Sequence, residues 1–223
     1  LVTLQETFPK VIEQDFTGSG KIFALPLYID TLALYYNQDT YDKNGIAIQL
    51  GNIGVVYRNQ GNYSKALDYL FRALKIREEL GAKNLIATCL GNIGNVYAQQ
   101  KDYAKALDHY LRALKIDEEL GNKNGVARHL GNIGQLYVSQ GKYAQAEKYL
   151  VDALTMDKEI EAQDKERQDE EALSNLYEKT NRYQLALEHY KRAMVLKDTL
   201  FSEEKNKDIT RKEMTYDFEK KEA

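Results

Sequence analysis

Three histidines, one cysteine and a series of regularly spaced amides are the residues of this 223-residue chain that invite a chemical reading. The histidines are His109, His129 and His189. His109 and His189 occupy one position of a forty-residue period, and Tyr69 and Tyr149 take that position between them. A position that accepts Tyr or His reads as a helix-surface site, not as a metal ligand, and no metal is expected. Cys89 stands alone, so there is neither a disulfide framework nor a cysteine zinc site. Between Thr88 and Leu90 it reads as a small packed hydrophobe. The segment GNIGNVY, residues 91–97, has no βαβ surroundings and is not a dinucleotide fingerprint. The acid pairs Glu78–Glu79 and Glu118–Glu119 read as solvated helix faces. Nothing here converges as a catalytic set, and no cofactor is expected.

The amides are more promising. Asn52, Asn92 and Asn132 recur at one position, and Asn95, Gln135 and Asn175 recur three residues further on. Residues three apart share a helix face. An amide both donates and accepts, so a row of them can hold the backbone of an extended peptide without reading its side chains. Arg58 and Arg128 are the cations assigned to the same surface. The row fails at Val55 and Ala172. The alternative use of these amides is to satisfy neighbouring loops and helix ends. Gly51, Gly91 and Gly131 interrupt the same segments, each costing about 1 kcal/mol relative to Ala in a helix. They serve either close approach of a ligand backbone or close helix packing, and the sequence leaves both open.

These residues must be positioned by a repeat. LGNIG stands at Leu50–Gly54, Leu90–Gly94 and Leu130–Gly134, a fixed forty-residue period that marks an array of stacked units. Each unit reads as two helices, with pairs predicted at 45–61 and 63–80 and at three further forty-residue steps. Asn44, Asn84, Asn124 and Asp164 are the expected N-caps of the first helices. Apolar residues at helical spacing follow, such as Ile46, Leu50, Ile53 and Tyr57. Turns fall at Gly61, Lys101, Gly141 and Asn181. Ala66, Leu67, Leu70, Ala73 and Leu74 stripe the second helix. Gly81 and Gly121 suit the left-handed residue that ends a helix. The fourth unit drifts: Ser174 replaces the inner glycine, and the charged linker Glu161–Glu171 lacks a terminating glycine. Polar, atypical units cap arrays.

On these residues the chain resembles the tetratricopeptide-repeat family. The signature of a small residue, Tyr and two Ala is met by Gly54, Tyr57, Ala66 and Ala73, and by their equivalents in the next two units. The usual repeat has 34 residues and a closing proline, whereas Glu78, Glu118 and Lys158 stand at that point here. This is similar to the long-helix subgroup of the Pins-type adaptor, kinesin light chain and the maltose-regulon activator. The resemblance spans Asn44 to Phe201. It implies an all-α, right-handed solenoid of helix-turn-helix repeats with units at 44–83, 84–123, 124–163 and 164–201. It also implies that the first helices line a concave groove in which the asparagines hold a peptide, and that Gly54, Gly94 and Gly134 serve helix packing.

The ends are less regular. Residues Gly20–Ile46 resemble a stretch of bacterial solute-binding proteins of sugar transporters. The competing reading of residues 1–43 is a degenerate helical repeat, aligning Phe23, Leu27, Ala33 and Leu34 with Tyr63, Leu67, Ala73 and Leu74 and placing Pro26 in the first turn of a helix. Residues 202–223 read as an exposed charged helix, similar to the junction that follows such repeats in bacterial sensor kinases and nucleotide cyclases. The chain opens at Leu1 without a signal-peptide pattern and is read as a fragment.

Composition narrows the function classes. A formal charge of −3 argues against a nucleic-acid groove. No run of 18 apolar residues is present to cross a membrane. The expected role is a non-catalytic scaffold that binds a protein or peptide. The alternatives are the sensory or dimerising region of a signalling protein and a solute-binding remnant. A homodimer through the terminal helices is a further expectation. The expected setting is cytoplasmic, or the soluble part of a membrane-anchored bacterial protein.

Overall fold

The computed structural model describes residues 22–25, 34–37 and 43–222, with side chains from Lys43 to Ser202 and at Lys205. The described chain runs β1 (Ile22–Leu25), β2 (Leu34–Asn37), α1 (Lys43–Asn59), α2 (Tyr63–Glu79), α3 (Lys83–Gln99), α4 (Tyr103–Glu119), α5 (Lys123–Ser139), α6 (Tyr143–Glu159), α7 (Gln163–Lys179) and α8 (Tyr183–Glu222). It divides into two compact units, Leu1–Cys89 and Leu90–Ala223, and the division falls inside α3.

The first unit holds β1, β2, α1, α2 and the start of α3. Residues 1–43 are open to two readings in the sequence, a degenerate helical repeat or a fused segment; the parts described are antiparallel strands pairing Ile22 with Asn37 and Leu25 with Leu34, not helices. The local chemistry explains this. IFAL and LYYN are rich in the aromatic and branched residues that suit a pleated surface. Leu25 also precedes Pro26, and a residue before proline is pushed out of the helical region. Pro26, Leu27 and Ala33 lie outside the described residues.

From Lys43 onward a helix starts every twenty residues, and the seven helices before α8 are each 17 residues long. One turn is used seven times. After α2, the Gly81 N–H donates to the Glu78 carbonyl and the Ala82 N–H to the Arg77 carbonyl, which is a Schellman closure. Gly61, Gly81, Gly121 and Gly141 take the left-handed seat with φ between 65° and 75°. Lys101, Glu161 and Asn181 occupy the same seat without being glycine, at φ 63°, 55° and 58°. The turn therefore survives at Glu161, where its expected glycine is missing.

At α5 and α7 the N-caps are Asn122 and Ala162, two residues before the expected Asn124 and Asp164. Asn44, Asn84, Asn124 and Asp164 each lie one residue inside a helix. At α5 a single residue both closes the previous Schellman turn and caps the next helix. Asn122 donates its N–H to the Asp117 carbonyl, and its Oδ1 accepts from the Gly125 N–H at 3.2 Å. One residue thus ends one helix and begins the next, so the loop is shorter than predicted.

The two helices of a pair close over the inner glycines. A Cβ on Gly54 would lie 2.6 Å from Leu70, one on Gly94 2.6 Å from Tyr110, and one on Gly134 2.7 Å from Leu150. Leu70, Tyr110 and Leu150 are buried there. Full burial of such a side chain contributes roughly 1.5–3 kcal/mol. In the fourth pair Ser174 stands at this point and its hydroxyl donates to the Ala186 carbonyl at 2.9 Å. Tyr190, which aligns with Leu150, is 52% exposed. Helix α8 continues without a break to Glu222. The side chains of Ile209, Met214, Tyr216 and Phe218 lie outside the described residues.

Candidate functional site

The amides fall on the first helices of the pairs, and they divide by what they already hold. In the second unit Asn92 and Asn132 are half-buried on α3 and α5. Among the described residues their side chains make no hydrogen bond. Gln135 and Asn175 are exposed. Asn95 is different: its Oδ1 accepts the Tyr110 hydroxyl at 2.7 Å, so this amide braces its own helix pair. In the first unit Asn52 is exposed on α1, and Arg58 bonds Asn59 Oδ1 at 3.1 Å. Arg128 on α5 lies 3.8 Å from the buried Asp117 carboxylate and 3.4 Å from His129.

The mid-helix glycines resolve toward packing. A Cβ on Gly91 would sit 2.7 Å from His129 Cε1, and one on Gly131 would sit 3.2 Å from Asp169 Oδ1. A Cβ on Gly51 would be 3.5 Å from Arg77. Each glycine makes room for a polar side chain of its own unit. The histidines also differ from expectation. His109 and His189 set their rings at a tilt of 38° and 34° against Tyr97 and Tyr177, with centroids 5.3 and 5.2 Å apart, and are largely covered. They alternate with Tyr69 and Tyr149 because either ring can lie on the tyrosine of the first helix.

Sequence reading missed a set of buried polar pairs. Arg77, Asp117 and Asp157 lie in the last turns of second helices, in phase with the apolar stripe. Arg77 and Asp117 meet the residue twelve positions later on the first helix of the following pair, Cys89 and His129, and Asp157 and Asp169 hold the same two positions one repeat on. Arg77 Nη1 bonds the Leu85 carbonyl at 3.0 Å and Cys89 Sγ at 2.8 Å. Burial pushes the Cys89 thiol up against the opposing pull of Arg77. The Cys89 reading as a packed small residue stands, with a cation as its neighbour. The missed signal was a charge inside an apolar stripe, repeated every forty residues.

The second pair is a carboxylate–imidazole joint. Asp117 and His129 are both 0% exposed, with His129 Nε2 3.1 Å from Asp117 Oδ2. Asn122 Nδ2 donates to Asp117 Oδ1 at 2.8 Å. Burial first, then the charge of Arg128, pulls His129 down to about 4, against the attraction of Asp117. The third pair is a carboxyl–carboxyl joint, Asp157 and Asp169, at 3% and 8% exposure. Burial, then the charge of Asp157, pushes Asp169 up to about 8. Beside it, the buried Glu170 holds Lys158 at 3.0 Å and His189 at 2.5 Å.

Among the described residues no group of three or more His, Cys, Asp or Glu is arranged to hold a metal ion. None of the described helices is long and apolar enough to cross a membrane.

The fold is similar to those of several solved structures. BtubC (BKLC) from P. vanneervenii is 22% identical with a TM-score of 0.63, over 72% of this chain and 66% of that one. Aspartyl phosphate phosphatase F from Bacillus subtilis is 21% identical with a TM-score of 0.68, over 72% and 42%. A Rap protein complexed with competence and sporulation factor is 25% identical with a TM-score of 0.67, over 70% and 44%. The chain spans less than two thirds of the length of each of these proteins. No curated protein matches it. One tetratricopeptide repeat profile matches residues 45–119 and 85–159, together more than half of the chain, and a second matches 171–204. This chain, an all-α solenoid of helix-turn-helix repeats over the matched residues, belongs to the tetratricopeptide repeat family.

Proposed function

We propose that this protein is a non-catalytic scaffold whose second unit holds an extended peptide, or a partner's helix, against the first helices of its pairs. Asn92 and Asn132 carry the reading. Both are half-buried, stand at one repeat position, and leave their side-chain amides unpaired among the described residues. An amide held in place by its helix, partly shielded from water and without an internal partner, is suited to a backbone N–H or C=O supplied from outside. Gln135 and Asn175 extend the surface on exposed positions, and Arg128 adds a cation one turn before Asn132. Asn95 is assigned a bracing role, since Tyr110 occupies its carbonyl. Asn52 and Arg58 are the same surface as it occurs in the first unit. The similar Rap structure, solved with a bound factor, supports a partner-binding use of this scaffold.

The test needs a partner, obtained by peptide display or pull-down. Asn92→Ala with Asn132→Ala should weaken that interaction while circular dichroism stays unchanged. Each lost neutral hydrogen bond costs roughly 0.5–1.5 kcal/mol. Two together correspond to about fivefold to a hundredfold in Kd. Unchanged affinity would assign the amides to structure, and an unfolded double variant would show that they brace the helices.

A further inference from the structure

Asp157 and Asp169 are both buried, and each is the other's side-chain hydrogen-bond partner. They hold, forty residues on, the two register positions at which Asp117 and His129 lie 3.1 Å apart. Asp157 closes α6, and Asp169 projects from the second turn of α7. The groups around them do not neutralise two charges. From α6, Lys158 spends its ammonium on Glu170 at 3.0 Å and lies 3.8 Å from Glu166. From α7, Lys165 attracts both aspartates but bonds Gln168 Oε1 at 3.3 Å. Glu166 and Glu170 add negative charge on the same helix. From α5 the neighbour is Gly131, which has no side chain to offer. From α8, His189 is committed to Glu170. One Asp169 oxygen, Oδ2, is buried without a partner.

Two buried carboxylates in contact cannot both stay ionised, because each lacks the water and the counter-charge that would hold it. A single proton resolves the problem. Protonated Asp169 donates a hydrogen bond to ionised Asp157, and one charge is left for Lys165 to balance.

We infer that Asp157 and Asp169 share one proton that clamps the fourth helix pair, α7–α8, onto the third, and that the clamp weakens as this proton becomes harder to retain. The sign follows from linkage. Asp169 is raised in the folded state, from the ordinary 3.8 to about 8. Its contribution is complete below the unfolded value and is lost as pH climbs toward 8. Acidification therefore tightens this joint. Because each repeat packs only on its neighbours, release of the fourth pair leaves the rest of the array standing.

Native-state amide hydrogen exchange on the full chain, corrected for intrinsic chemistry, reads the clamp between pH 5 and 8. Protection across α7 should fall with rising pH by up to about tenfold per unit, the limit for one proton per opening event. It should level off above pH 8. Asp169→Asn, whose amide donates to Asp157 without needing a proton, should flatten that slope. His189→Gln, which removes the neighbouring imidazole that holds Glu170, should keep it. Equal slopes in the parent chain and in Asp169→Asn would overturn the inference. So would a slope lost in His189→Gln and retained in Asp169→Asn. Should Asp169→Asn fail to fold, the carboxyl-carbon NMR titration of Asp169 in the parent chain decides. Titration near neutrality or above supports the shared proton, and titration in the ordinary carboxylate range refutes it.

Discussion

The joint between the second and third helix pairs and the joint between the third and fourth are built at the same two register positions. The first uses Asp117 with His129, and the second uses Asp157 with Asp169. Both pairs are buried, and both sit where an apolar residue would fit the stripe of the second helix. In the first joint Asn122 donates to Asp117 Oδ1, while Oδ2 makes no hydrogen bond but has the imidazole Nε2 at 3.1 Å and Arg128 at 3.8 Å. In the second joint the capping position is Ala162, which makes no side-chain cap, and the facing residue is a second acid. The backbone repeats while the charge does not. A repeat array can thus vary the chemistry of each joint independently, because every joint is local.

That comparison can be broken most severely at His129. His129→Ala leaves Asp117 buried with only Asn122 and a distant Arg128, and opens a cavity against Gly91. Uncompensated buried charge of this kind costs about 3–5 kcal/mol. Chemical denaturation of the variant should show the loss, and a change below about 1 kcal/mol would mean that the pair is not the joint's main support.

The pH profile sharpens it next. His129 is depressed from the ordinary 6.5 to about 4, so its neutral form belongs to the folded state. Its contribution is fully present above pH 6.5 and is lost as pH falls through 4, at up to about 1.4 kcal/mol per pH unit. The Asp169 joint runs the other way. Hydrogen exchange should therefore show α5 loosening on acidification while α7 tightens. Parallel behaviour of the two helices would contradict the opposite chemistry of the joints.

The glycines give a smaller test. Gly91→Ala drives a methyl group to 2.7 Å from the His129 ring and should cost roughly 1–3 kcal/mol. Gly131→Ala meets an Asp169 oxygen at 3.2 Å and the Ala153 Cβ at an ordinary 3.9 Å, and should cost less. Melting temperatures of the two variants check the order.

The smallest change converts one joint toward the other. Ala162→Asn restores the side-chain cap that Asn122 provides forty residues earlier, for a gain of about 0.5–1 kcal/mol. Its amide can also donate to Asp157 as Asn122 does to Asp117. The pH slope of α7 should then shrink, as measured by exchange.

A forty-residue period, the LGNIG motif and paired alanines determined the helix pairs, the turns at Gly61 and Gly141 and the left-handed seats at Gly81 and Gly121, and the family resemblance implied the packing role of Gly54, Gly94 and Gly134. Those features are local or strictly repeated, so one copy teaches the next. The strands at Ile22–Leu25 and Leu34–Asn37 escaped because a few residues could be aligned to the repeat while their aromatic content and Pro26 favoured extended backbone. The N-caps of α5 and α7 were misplaced by two positions because a residue that closes one helix can also open the next, which needs backbone geometry to see. Among the candidate site residues, the recurrence of Asn92, Asn95 and Asn132 was legible. That Tyr110 already occupies Asn95 was not, since the contact joins residues of two different helices. The polar joints were hidden for the same physical reason. Arg77, Asp117 and Asp157 are visible as charges in an apolar stripe, but whether each is exposed, paired or forced to keep a proton depends on the residue brought opposite by packing. Only the tertiary structure sets Cys89, His129 and Asp169 there. Burial then converts those juxtapositions into shifted protonation, because a charge loses its water before it gains a partner.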